Sequence, residues 1–187
     1  NLDYRKPIPR PKVRGKVIDF HTHLLSARHA PDWFAAADHF GIDVFASMLQ
    51  LEEVLSLHRD YGHRLIYIAV PSWYQTPADP VDDYLRRIDG FYNLGSRIVK
   101  FHCVPETMFR RGWSLDSPRL KPVFDEVVAR GMGIMTHVGD PDTWYQGKYA
   151  DTAKYGTREQ HYAAWEIVLQ QYPDVPWIGA HMGGQDR

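Results

Sequence analysis

Short apolar runs alternate with amphipathic stretches along this chain, and that alternation limits the fold more than any other feature. "KVIDFHTHLL", "DVFASML", "RLIYIAV", "RIVKFHCV", "GIMTHV" and "PWIGAHMGG" read as strands, rich in β-branched and aromatic residues. Helix-like segments separate them. "DWFAAADHF" precedes the second run, and "EEVLSLHRDYG" ends at Gly62. "DDYLRRIDGFYNLG" has Asp82 and Asp83 near its start and Gly95 at its end. "SPRLKPVFDEVVARG" predicts a helix with Ser117 as N-cap and Pro118 at its first position. "TREQHYAAWEIVLQQYP" offers Thr157 as N-cap and Gln160 three residues on, a capping box. Strands alternating with helices at this spacing predict βα units and a parallel sheet. About six units fit from Lys16 onward, with no repeat of fixed period and no internal linker.

Residues 1–15, "NLDYRKPIPRPKVRG", are basic and proline-rich, so they predict an extended arm rather than a helix. Residues 16–187 are expected to form one domain, and 187 residues in total suffice for a substantial core. A net charge of -1 gives no electrostatic case for nucleic acid or an anionic membrane. No apolar run approaches a membrane span, and no signal-peptide pattern opens the chain. Cys103 is the single cysteine, so no internal disulfide can form, and a reducing, cytoplasmic compartment is expected. The first residue is Asn1 rather than Met, from which the expectation is that the true start lies upstream.

Ten histidines are the compositional outlier. His29, His39, His58, His63 and His161 lie in helix-like or loop contexts and read as residues without a special role. The first predicted strand ends in His21 and His23. Side chains alternate across a strand, so Asp19, His21 and His23 are expected on one face. Two imidazoles on one face can point at one metal ion, and Asp19 could accept the far N–H of a ligating ring. An H-x-H pair alone equally fits two strand-end histidines satisfied by water or carbonyls. His102, His137 and His181 also fall at or just after strand ends, in "VKFHCVP", "IMTHVGD" and "IGAHMGG". In a parallel α/β sheet that edge carries the chemistry, so a shared metal site is the reading that explains all five together.

"DFHTHL", "VKFH", "THVGD" and "AHMGG", in that order, resemble the amidohydrolase superfamily, and within it the metal-dependent hydrolases and decarboxylases related to aminocarboxymuconate-semialdehyde decarboxylase. The resemblance covers nearly everything after the proline-rich arm. It implies a TIM-type (β/α)8 barrel, an α/β fold of which this chain holds about the first six βα units. It implies one divalent metal, zinc, at the C-terminal mouth, with His21 and His23 as first-strand ligands and His137 as fifth-strand ligand. His181 matches the histidine that activates water or transfers a proton. The family takes a further ligand, an aspartate, from the eighth strand. The sequence reaches Arg187 just after the sixth, and Asp186 lies only in the sixth-strand loop. The closing strands are expected from a longer chain, a complementing segment or a homo-oligomeric partner.

Lys100 lies inside an apolar strand, where a lysine is costly unless paired or functional. Two readings stay open. It pairs with a carboxylate or substrate anion at the mouth, or it is carboxylated and bridges two metals, as in binuclear amidohydrolases. His102 either lines the pocket or bonds a neighbour. The stretch 139–156 is long for a βα loop, and its Trp144, Tyr145 and Tyr149 either close over the site or pack the loop onto the rim. No G-x-S-x-G elbow and no phosphate loop is present. The expected activity is metal-dependent hydrolysis of a small C–O or C–N bond. Non-oxidative decarboxylation of a small carboxylic acid is the alternative, and a catalytically dead metal-binding remnant is the non-enzymatic one.

Overall fold

The structure is a computed structural model, and it describes residues 6, 15–72 and 80–183, with only the backbone at Met182. The proline-rich arm apart from residues 6 and 15, the second glycine of "HMGG" and Asp186 lie outside the described residues. Six strands form one sheet in the order β1-β2-β3-β4-β5-β6, and every neighbouring pair is parallel. They are β1 (Ile18–Thr22), β2 (Val44–Met48), β3 (Leu65–Ala69), β4 (Ile98–Phe101), β5 (Gly133–Thr136) and β6 (Trp177–Gly179). The main crossover helices are α1 (Ala30–Phe40), α2 (Leu51–Tyr61), α3 (Pro80–Asn93), α5 (Lys121–Ala129) and α8 (Arg158–Gln171). Shorter helices α4 (Pro105–Arg111), α6 (Asp142–Gln146) and α7 (Thr152–Tyr155) sit on the connections that follow β4 and β5.

The sheet is curled. In a flat sheet, strand spacings of about 4.8 Å would put β1 and β6 roughly 24 Å apart. Instead, the rings of His21 on β1 and His181 just after β6 stand 4.6 Å apart. Sequential parallel strands with this curl are the arrangement of a (β/α)8 barrel, here through six consecutive units, so the predicted fold class is the one observed.

Burial follows from the curl. The middle strands are apolar and covered on both faces, as parallel strands with crossover helices must be. Phe45, Ile68, Val99 and Ile134 meet Phe34, Val54, Ile88, Phe91 and Phe124 from the helices in one core. Phe101 stacks on Phe124 with centroids 4.7 Å apart. The outer strands differ: Ile18 and Phe20 on β1 are 48% and 42% exposed. Arg87 ties α3 to α2, with its guanidinium 3.2 Å from Asp83 and 2.9 Å from Glu52. Among the described residues no helix is long and apolar enough to cross a membrane.

Two local expectations need correction. Asp19, His21 and His23 do not simply share a face, because the β1–β2 register slips by one residue between Asp19 and Thr22. Such a bulge adds a residue to one strand and re-aims the side chains beyond it. Ser117 does not cap an α-helix. It precedes a 3-10 turn, Pro118–Leu120, its side chain makes no capping bond, and α5 starts at Lys121. Pro122 has no N–H to give the Pro118 carbonyl, so the Lys121 N–H bonds it in the tighter pattern. The capping box is present as expected: Thr157 Oγ1 accepts from the Gln160 N–H at 3.2 Å, and Gln160 Oε1 accepts from the Thr157 N–H at 2.8 Å.

Candidate metal centre

Five histidines from four strand ends meet at the C-terminal edge of the curled sheet. Ring centroids lie 5.6 Å apart for His21–His23, 6.2 Å for His21–His137 and 5.2 Å for His137–His181. His102 joins through His137 at 4.8 Å. The elements explain the convergence. His21 and His23 bracket the end of the bulged β1, His102 follows β4, and His137 follows β5 directly. His181 lies in the 3-10 turn Ala180–Gly183 with φ of 52°. It is the one non-glycine residue with positive φ among the described residues. A left-handed histidine costs backbone energy, and such strain concentrates at functional sites.

The surroundings keep four of these rings neutral, those of His21, His23, His102 and His137. Burial, followed by the charge of Lys100, lowers His21 from 6.5 to about 4. The same two causes lower His102 to about 4 and His137 to about 2. His23 is lowered by burial and then by Lys100. A neutral imidazole has one nitrogen lone pair free to ligate. His21 Nε2 and His137 Nδ1 are buried without a hydrogen-bond partner among the described residues. A zinc–nitrogen bond of about 2.0–2.1 Å puts two rings on one tetrahedral ion with centroids roughly 5 Å apart. The observed spacings bracket that value. No three His, Cys, Asp or Glu side chains among the described residues stand in ligating geometry, so the rings converge without forming a closed cage. The donor chemistry, neutral imidazoles with two unpartnered ring nitrogens among the described residues, suits a divalent ion, while the ring positions bring no three donors to one point.

Lys100 is the charged member of the group. It is 1% exposed, and its Nζ has no hydrogen-bond partner among the described residues. Burial lowers its ammonium from 10.5 to about 7. Register pairs Lys100 with Met135, one layer inward from His137. Tyr84 donates its hydroxyl to the Lys100 carbonyl, which fixes the strand and leaves the amine untouched. His102 both faces His137 and lies 3.3 Å from Thr107 Oγ1 through its Nδ1. Cys103 next to it is buried, and burial pushes its thiol up to about 12, so it supplies no thiolate at neutral pH.

The remaining expected residues lie apart from the rings. Asp19 is exposed, and its carboxylate accepts from the His21 backbone N–H at 3.3 Å, not from an imidazole. Trp144 and Tyr145 pack against Tyr149, with centroids 6.0 and 5.7 Å away. Tyr149 is 1% exposed, so it anchors the loop. The Tyr145 hydroxyl lies 2.6 Å from His161 Nδ1, and His161 Nε2 donates to the Tyr155 carbonyl at 2.9 Å. His161, read from sequence as having no special role, therefore fastens this loop to α8. Sequence reading also passed over Asp140, 8% exposed, whose Oδ2 has no partner among the described residues. Its signal was available: an acid directly after the strand-end "THVG".

No family model matches the sequence, and no curated protein matches it. Solved structures do. A 2,6-dihydroxybenzoate decarboxylase complexed with 2,6-dihydroxybenzoate matches over 92% of this chain and 68% of its own, at 14% identity and a TM-score of 0.59. A 5-carboxyvanillate decarboxylase from Novosphingobium aromaticivorans, complexed with manganese and 4-hydroxy-3-methoxy-5-nitrobenzoic acid, matches over 98% and 70% at 14% identity, with a TM-score of 0.61. An amidohydrolase from Mycobacterium avium subsp. paratuberculosis matches over 82% of this chain and 48% of its own, at 16% identity and a TM-score of 0.50. These likenesses establish a shared fold: a parallel βα sheet curled as in a barrel, with histidines gathered at its C-terminal edge in this chain.

Proposed function

We propose that this chain carries the active centre of an amidohydrolase-type, metal-dependent enzyme, and that its reaction is non-oxidative decarboxylation of a small aromatic acid. The observation that carries the reading is the approach of His21 and His23 from β1, His137 from β5 and His181 from β6 to one another at the C-terminal edge of the sheet. His21, His23 and His137 would hold the ion through neutral imidazole nitrogens. A bound divalent ion would supply Lewis acidity toward a substrate oxygen. His181 would move the proton, since an imidazole can both accept and donate one through its ring nitrogens. Three imidazoles favour zinc on ligand softness, whereas the decarboxylase neighbour was solved with manganese. Kinship to aminocarboxymuconate-semialdehyde decarboxylase in particular rests on the motifs alone.

Decarboxylation is preferred to hydrolysis because two of the three fold neighbours described above are decarboxylases of hydroxylated aromatic acids. Hydrolysis is the second reading, supported by the amidohydrolase neighbour. The same proposal takes residues 16–187 as one barrel-type unit preceded by an arm, with the cytoplasm as its compartment and a complementing strand as source of a carboxylate ligand. The test is carbon dioxide release from 2,6-dihydroxybenzoate and 5-carboxyvanillate by protein reconstituted with manganese or zinc, beside a panel of esters, lactones and amides. Release that His181→Asn abolishes supports the proposal. Hydrolytic turnover without carbon dioxide release would transfer it to the second reading.

A further inference from the structure

We propose that Lys100 is the residue that receives the substrate's carboxylate, which makes the mouth a site for organic anions. The inference rests on the enzymatic reading for its substrate class, but on Lys100 itself for its physics. An ammonium that is 1% exposed and has no hydrogen-bond partner among the described residues is among the least favourable groups a fold can bury. Among the described residues its surroundings offer no counterion. The charge of Lys100 acts on His21, His23, His102 and His137, and an imidazole supplies no anion to pair with it. The other side chain that interacts with it electrostatically is Cys103, whose buried thiol is also neutral. The Tyr84 hydroxyl is committed to the Lys100 backbone carbonyl.

Charge balance points the same way. A divalent ion among the imidazoles would bring positive charge with no anionic ligand from the described residues, and the Lys100 ammonium would add to it whenever protonated. An arriving carboxylate answers both cations and gives Nζ its missing acceptor. Lys100 lies one layer inward from His137, so the substrate would insert its anionic end first, with its ring toward the exposed His23 and His181. This contact exists before any bond changes, so it anchors the substrate and is expected to act on KM more than on kcat.

The experiment measures calorimetric binding of benzoate and of benzamide to metal-free and metal-loaded protein, for the parent, Lys100→Met and Lys100→Gln. The two probes differ in charge and little in shape. The parent should prefer benzoate by about ten- to a hundredfold, about 1.4 kcal/mol per factor of ten. Both variants should lose that preference while binding benzamide within about threefold of the parent. Two variants are used so that a folding defect in one does not decide the outcome. Retained benzoate preference in either folded variant overturns the proposal. So does a carbamate carbon signal in the parent, after labelling with carbon-13 bicarbonate, that the variants lack, since Lys100 would then itself be the anion. Because the metal-free measurement needs no turnover, benzoate preference without decarboxylation would sink the reaction and leave this inference standing.

Discussion

Replacing Lys100 with methionine should stabilise the metal-free protein at neutral pH. Burial lowers the ammonium from 10.5 to about 7. At about 1.36 kcal/mol per pKa unit, that shift opposes folding by about 5 kcal/mol wherever both folded and unfolded lysines are protonated. Methionine keeps the stem and removes the charge, at a packing mismatch of about 1–2 kcal/mol. The expected net gain is about 3 kcal/mol at pH 7. The sign follows from proton counting. Between pH 7 and 10.5 the unfolded lysine holds a proton that the folded one has released, so the parent gains stability as pH rises through that window. The variant lacks this rise, and its advantage should shrink toward pH 10. Urea unfolding followed by circular dichroism at pH 7 and pH 10 measures both. A variant less stable than the parent by about 1 kcal/mol at pH 7, or a difference that ignores pH, would show that the lysine is already paired.

Four other outcomes follow from the same structure. In metal-free protein, stability should fall as pH drops from 6.5 toward 4, because the unfolded histidines protonate before His21, His102 and His137 do; His102 alone, held at about 4, contributes about 3 kcal/mol, read from urea midpoints across pH. Arg87→Ala leaves Asp83, 8% exposed, with only the Ser72 N–H and the more distant Arg86 as partners, and should cost about 2 kcal/mol in the same assay. Thr157→Ala removes one half of the capping box at α8 and should cost about 1 kcal/mol, whereas Thr157→Ser should be nearly silent. Phe101→Ala deletes a ring that is 2% exposed and stacked on Phe124, at about 3–5 kcal/mol.

Much of this fold is legible in the sequence because its determinants are local. A run such as "RLIYIAV" declares a buried strand by composition, and parallel order follows from a helix after each strand. The strand-end histidines inherit that legibility, since placing six strands also places the residues that end them. What the sequence hides is set by distant partners. The β1 bulge depends on pairing with β2, so Asp19 could not be separated from His21 by periodicity alone. The tie between Tyr145 and His161 spans the loop and α8. Helix α4 is a different kind of miss, since Pro105 at its start, Arg110 and Arg111 in its last turn and Gly112 in a left-handed cap are ordinary local signals. Lys100 lies between the two cases: its burial could be read from its strand, but its lack of a partner could not.

On the proposed reading, imidazoles from β1 and β5 of the curled sheet hold one metal ion. Elemental analysis after equilibrium dialysis against manganese or zinc tests it most directly, on the parent and on a His21→Ala, His137→Ala double variant whose fold is checked by circular dichroism. One divalent ion per chain is expected in the parent and none in the variant. An ion held equally well by the folded double variant, or no ion bound by the parent at all, would contradict it.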